Sequence, residues 1–208
     1  MFSSQYILAI AVIGAILFLA VQGKKFFSLR PLIKMIMGVA LAIYCFSAGN
    51  TLLSIMGAGF IASSLGDFFL DLPEDNYFIP GLVSFFGAHV AFLIVLWSFA
   101  SWSLPICATI ALITIGFFFW LKPALDKELV APVAAYSVII GLMCAAALTT
   151  NLSSLLVPLG ALSFLASDIV LAIEKFKTKF PMDKTTNWIL YASGQIALAI
   201  GVVSSLSL

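Results

Sequence analysis

Residues 51–71 read TLLSIMGAGFIASSLGDFFLD: no charge from Thr51 to Gly66, then Asp67, then a second acid, Asp71, where the run ends. A helix needs about 20 apolar residues, at roughly 1.5 Å each, to cross the hydrocarbon core of a bilayer. The segment predicts a transmembrane helix with one carboxylate about a turn inside its end. The rest of the chain has the same character. Only 9% of its 208 residues are charged and 63% are hydrophobic, whereas soluble domains carry roughly 25% charged residues. No core of this size hides so much apolar surface from water, so the solvent of this fold is lipid.

Outward from that segment, polar breaks divide the chain into eight apolar runs: 4–22, 30–48, 51–71, 78–99, 103–121, 130–149, 152–173 and 186–206. The predicted fold is all-α, one polytopic transmembrane domain over residues 1–208 with eight transmembrane helices. Met1 to Tyr6 carry no positive charge, and Lys24 and Lys25 follow the first run instead. A cleavable leader has the opposite polarity, so the first run is read as a retained helix.

The basic residues test the count. Lys24, Lys25, Arg30 and Lys34 flank the first loop, Lys122 and Lys127 lie in the fifth, and Lys175, Lys177, Lys179 and Lys184 in the seventh. Odd-numbered loops share one side, and the loops near Asn50, Ser101 and Asn151 carry no charge. The positive-inside rule makes the basic side cytoplasmic and both termini extracytoplasmic. Ser64-Leu65-Gly66-Asp67-Phe68-Phe69-Leu70 in the third run also resembles Leu165-Ala166-Ser167-Asp168-Ile169-Val170-Leu171 in the seventh. A parallel duplication of four helices would leave this trace. Short connections suit a bacterial inner membrane.

Ionisable residues within spans cost roughly 2.5–3.5 kcal/mol each near a helix centre, and their default reading is functional. Here they are Lys34, Asp67, Asp71, His89 and Asp168. With the topology above, Asp67, Asp168 and Lys34 sit about a turn inside the cytoplasmic ends of their helices. Tyr136, Tyr191 and Gln195 fall in the same half, and His89 lies deeper. Each also has a plainer reading. Asp71, before Pro73, Glu74 and Asp75, fits the interface; Lys34 fits snorkelling to headgroups. Tyr136 and Tyr191 fit an aromatic belt; His89 fits packing and Gln195 interhelical glue. Asp67 and Asp168 are hardest to dismiss, although a structural ion pair with Lys34 is their plainer reading.

A carboxyl in apolar surroundings can hold its proton at neutral pH, and two close together reinforce this. One then serves as general acid and the other as base or charge stabiliser. That arrangement suits a reaction through an oxocarbenium-like state, and equally a proton relay in a small proton-coupled transporter. Other chemistries lack their residues. One histidine and the scattered Cys45, Cys107 and Cys144 have no zinc-like spacing, and the cysteines read as membrane-packing residues. No G-x-S-x-G, G-x-x-x-x-G-K-[ST] or G-x-G-x-x-G occurs. The Ser64-Leu65-Gly66-Asp67 segment lacks the first glycine of the G-x-G-D motif of intramembrane aspartyl proteases. A net charge of +1 gives no field for nucleic acid. No metal and no cofactor are expected.

Several elements together resemble the YhhN family of integral membrane lysoplasmalogenases. They are Arg30-Pro31-Leu32, Gly66-Asp67 with Leu70, and Gly81, Phe85 and His89 at four-residue spacing. They continue with Tyr136 and Met143, Gly160, Phe164, Ser167 and Asp168, and finally Tyr191 with Gln195. Phe92 stands where the family often has Tyr, Gly194 where it often has Ala, and Arg30 where it tends to have Lys. The resemblance implies hydrolysis of the vinyl ether bond of lysoplasmalogen lipids, with the bilayer as the other partner. The products would be a fatty aldehyde and glycerophosphoethanolamine or glycerophosphocholine. On this reading Asp67 and Asp168 are the acid/base pair, with neither assigned as the acid. Lys34 and Arg30 hold the phosphate at the cytoplasmic mouth beside Asp71, and His89, Tyr136, Tyr191 and Gln195 contact substrate or water.

Overall fold

The computed structural model describes residues 4–24, 28–73 and 75–206. Lys25, Glu74 and the side chain of Asp75, named above, lie outside the described set. The described residues form α1 (Ser4–Val21), α2 (Arg30–Phe46), α3 (Thr51–Asp71), α4 (Phe78–Trp97), α5 (Leu104–Leu121), α6 (Lys127–Leu148), α7 (Leu156–Phe176) and α8 (Asp183–Leu206). Among them, seven helices are long and apolar enough to cross a membrane. The exception is α2, which has 17 residues and carries Arg30 and Lys34 in its N-terminal half. The chain is an all-α polytopic membrane protein with seven candidate transmembrane helices; length and composition alone do not carry the eighth expected run across.

The outer surface has the character that lipid demands. Helix α5 is apolar on every side, and its Leu112 and Phe119 are 75% and 60% exposed. In water such a helix would need a covering partner; in a bilayer the acyl chains cover it.

The helices gather into two compact units, Met1–Val95 with Val202–Leu208, and Leu96–Gly201. The division falls between four helices and four. In the first unit α2 packs against both α1 and α3. Pro31 opens α2, where its missing N–H has no intrahelical role. Asn50 caps α3 by accepting the Leu52 N–H at 2.8 Å. Helix α4 lays Phe85 on α3 where Gly66 leaves room, since a Cβ there would stand 2.6 Å from the ring.

In the second unit α6 packs against α5 and α7, and the Cys144 thiol donates to the Ala161 carbonyl at 3.3 Å. Helices α7 and α8 touch backbone to backbone. A Cβ on Gly160 would stand 2.8 Å from the Gly194 carbonyl, and one on Gly194 would stand 2.9 Å from that of Gly160. Small residues permit this approach between membrane helices, where dispersion rather than water drives packing. The Gly194 departure noted in the sequence thus has a physical reason, because alanine would push the two helices apart. At one end, two uncharged loops are stitched together. Ser101 N–H donates to Thr149 O at 2.7 Å, Asn151 N–H to Phe99 O at 2.8 Å, and the Asn151 amide to the Ser101 hydroxyl at 2.7 Å.

Candidate functional site

In the first unit the charged residues form a ladder between α2 and α3. Arg30 and Lys34 are four apart on α2, and Asp67 and Asp71 are four apart on α3, so each pair shares one helix face. Lys34 Nζ lies 3.3 Å from Asp67 Oδ1. Arg30 Nε donates to Asp71 Oδ2 at 2.6 Å, and its Nη2 donates to the Asp71 carbonyl at 3.0 Å. The guanidinium therefore both pairs with a carboxylate and occupies a carbonyl at the C-terminal end of α3, where the helix dipole favours a cation. Asp67 is buried, at 1% exposure, while the Arg30 and Asp71 side chains keep 19% and 11%. The Lys34 ammonium also stands 5.5 Å from the centre of the Phe18 ring on α1, a cation–π distance.

Asp71 was expected at the interface or at the site; its carboxylate is engaged by Arg30. Both cations expected at a phosphate meet aspartates of α3. His89 is fully buried on α4, with Nδ1 at 2.7 Å from the Phe85 carbonyl. A carbonyl only accepts, so this contact places a proton on Nδ1. Phe92 packs its ring 5.0 Å from Phe60 and 6.4 Å from His89. One turn before Asp67, the buried Ser63 hydroxyl has no partner among the described residues.

In the second unit the centre is Asp168 on α7. Tyr136 on α6 donates its phenol to Asp168 Oδ2 at 2.6 Å, and Asp168 as a residue is half-buried. Ser167 is buried, and its hydroxyl donates to Phe164 O at 2.7 Å. Its carbonyl accepts from Asn187 Nδ2 at 2.7 Å, which ties α7 to the first turn of α8. Tyr191 is buried with its ring 5.3 Å from Phe164, edge-on, and 5.5 Å from Trp188. One turn further along α8, Gln195 is fully buried, and neither its amide oxygen nor its amide nitrogen has a hydrogen-bond partner among the described residues.

Asn187 and Trp188 did not stand out in the sequence. Their one signal was an amide and an indole opening a final apolar run. Among the described residues no group of three or more His, Cys, Asp or Glu could hold a metal ion.

The two aspartates are therefore held differently. Asp67 meets an ammonium, with Lys34 Nζ 3.3 Å from its Oδ1. Asp168 meets a phenol, a neutral donor that commits one carboxyl oxygen and orients the other. A fixed carboxyl can deliver or take a proton; a buried carboxylate paired with lysine can hold charge.

These features define a polytopic membrane protein with acid–base side chains set on its membrane helices. The YhhN family model matches residues 29–202, and the chain belongs to that family. It is 30% identical over 149 residues to proteins named lysoplasmalogenase from Mycobacterium bovis and Mycobacterium tuberculosis, covering 68% of this chain and 57% of each relative. It is 28% identical over 174 residues to lysoplasmalogenase TMEM86B of Rattus norvegicus, covering 82% of this chain and 70% of that protein. The chain thus spans little more than half the length of the mycobacterial relatives. No solved structure matches it.

Proposed function

We propose that this protein is a lysoplasmalogenase that hydrolyses the vinyl ether of a single-tailed lipid within the membrane. The observation that carries the reading is the Tyr136–Asp168 hydrogen bond at 2.6 Å, made between two membrane helices. Family membership and the names of the relatives supply the substrate class.

The chemistry asks for few parts. A proton adds to the vinyl carbon remote from oxygen, the C=C bond is consumed, and an oxocarbenium ion forms. Water attacks that cation through a new C–O bond and loses a proton. The hemiacetal hydroxyl then gives up its proton and becomes the carbonyl as the bond to the glycerol oxygen breaks; that oxygen takes up a proton, and aldehyde leaves. The net reaction consumes one water, and the acid is regenerated.

In our assignment Asp168 delivers the first proton from the oxygen that Tyr136 does not engage. The resulting carboxylate is held by the phenol, faces the cation, and takes the proton back from water. Asp67 remains the partner of Lys34. Lys34 and Arg30 receive the phosphate, sharing their present carboxylate partners with it. His89, Tyr191 and Gln195 contact the glycerol backbone or water. We also propose that α2 is the eighth span and that the odd-numbered loops are cytoplasmic, with both termini outside. The chain then sits in a bacterial inner membrane with its chemistry toward the cytoplasm.

The test is aldehyde release from lysoplasmalogen by the detergent-purified protein. Steady release without a sealed membrane is expected. No release above a boiled control would contradict the reading, and would return the carboxylates to a transporter's relay.

A further inference from the structure

The side chain least explained by the fold is Gln195. It is fully buried on α8, and both polar atoms of its amide lack a partner among the described residues. The plain role for a glutamine in a membrane helix is to hydrogen-bond a neighbouring helix, and that bond is not made. Nor can α8 easily turn to make it. Gly194, the preceding residue, has its backbone against that of Gly160, so the rotation of α8 against α7 is fixed. Buried polar groups in folded proteins find partners, and those unmatched by protein are matched by water or ligand.

The register of α7 and α8 says where such a ligand would lie. The helices run antiparallel, with Asn187 on Ser167, Leu190 O accepting from the Ser163 hydroxyl at 2.7 Å, and Gly194 on Gly160. Side chains lean toward the N-terminus of their own helix. Asp168 therefore leans toward the level of Phe164, and Gln195 leans toward the level of Tyr191. Those two levels coincide, since the Phe164 and Tyr191 rings are in contact. The amide and the carboxyl lean along the axis toward a common level in one unit.

The amide also restricts the ligand. Its oxygen needs a donor and its nitrogen an acceptor. A phosphate offers acceptors alone, an ether oxygen one weak acceptor, and an acyl chain neither. A neutral hydroxyl does both. We infer that Gln195 binds a neutral hydroxyl group, supplied either by the attacking water or by the free hydroxyl on the glycerol carbon next to the ether-bearing one. This rests on the lysoplasmalogenase reading for its choice of sources but not for the amide's need of a partner. In either case Gln195 positions a reactant and takes no proton itself. If the lipid supplies the hydroxyl, Gln195 is also what separates single-tailed from double-tailed substrates. A site built to hydrogen-bond a hydroxyl leaves its own polar atoms stranded when that group is missing.

The experiment uses the full-length protein in detergent, with Gln195→Met as an apolar replacement of similar length. Two probes bind without reacting: a lysophospholipid with a saturated ether chain, and its analogue lacking the free glycerol hydroxyl. If the lipid supplies the hydroxyl, wild type binds the first roughly tenfold more tightly than the second, and Gln195→Met binds both alike. If water supplies it, binding is unchanged. With lysoplasmalogen in mixed methanol and water, the variant then diverts product several-fold from aldehyde to the methyl acetal, because methanol captures the cation once water is no longer held. The inference is overturned if Gln195→Met keeps both the hydroxyl preference and the product ratio within about twofold of wild type. Should Gln195→Met not fold, Gln195→Asn withdraws the same amide by one methylene and is read the same way. If wild type releases no aldehyde, the lysoplasmalogenase reading fails and the attacking water falls with it as a source; the binding comparison then decides for Gln195, with equal binding of the two probes by wild type overturning the inference.

Discussion

Tyr136 donates its phenol to Asp168 at 2.6 Å from the helix that precedes it, α6 to α7. Lys34 meets Asp67 at 3.3 Å in the same sense, α2 to α3. Each aspartate is thus gripped from the preceding helix, once by a neutral hydrogen-bond donor and once by a cation. A duplication of four helices would leave this correspondence.

Tyr136→Phe removes the phenol and leaves the ring. We expect kcat for aldehyde release to fall roughly ten- to a hundredfold, as for loss of a hydrogen bond to a carboxyl group in the transition state. Because one oxygen atom is lost, thermal stability in detergent should change by about 1 kcal/mol or less. A parallel collapse of stability and rate would make Tyr136 a structural residue.

Lys34→Met leaves the buried Asp67 without its ammonium. Breaking one side of a buried pair costs about 3–5 kcal/mol, whereas replacing both sides is often close to neutral. Melting curves should show Lys34→Met strongly destabilised, and the double variant Lys34→Met with Asp67→Asn largely restored in stability. Aldehyde release should stay low in both. Recovery of rate in the double variant would remove Asp67 and Lys34 from the reaction.

Arg30→Gln should raise KM for phosphate-bearing substrate about tenfold and leave kcat within twofold, since the cation binds ground state and transition state alike. An alkenylglycerol without phosphate serves as the control, and its KM should not move. Equal effects on both substrates would mean that Arg30 only staples α2 to the end of α3 through Asp71.

Gly194→Ala inserts a methyl 2.9 Å from the Gly160 carbonyl and from the Phe164 nitrogen. Both neighbours are main chain, so neither can swing aside. Overpacking of this kind costs about 1–3 kcal/mol, and the melting temperature should fall accordingly. An unchanged melting temperature would show that the α7–α8 crossing is looser than its contacts imply.

The helices were legible in the sequence because lipid leaves so few alternatives. Apolar runs bounded by polar breaks place every helix within a few residues. The largest difference is α7, which begins at Leu156 rather than 152 and ends at Phe176 rather than 173; α6 begins at Lys127 rather than 130, and α8 at Asp183 rather than 186. Asp183 caps its own turn, accepting Lys184 N–H at 2.7 Å, so helix geometry extends past the apolar stretch. The pairings were less legible. An ion pair of Lys34 with an aspartate was legible, since opposite charges at matched depth attract, but that the partner is Asp67 and not Asp168 depends on helix packing. Arg30 with Asp71 was hidden because Asp71 sits among other acids where a chain leaves the membrane. Tyr136 with Asp168 spans 32 residues and depends on how α6 crosses α7, which no local pattern encodes. Gln195 was visible as a polar residue out of place, but its lack of a partner is a property of packing alone.

The central claim is that Asp168 delivers the proton that opens the vinyl ether. Aldehyde release in D2O-based buffer tests it most directly, with wild type and Asp168→Asn compared at equal folded concentration. Wild type should release aldehyde carrying one deuterium on the carbon next to the carbonyl. Asp168→Asn should fold and bind lipid but release aldehyde at least about a hundredfold more slowly, within the range for loss of a general acid. An Asp168→Asn variant within threefold of the wild-type rate, giving the same labelled product, would contradict the account.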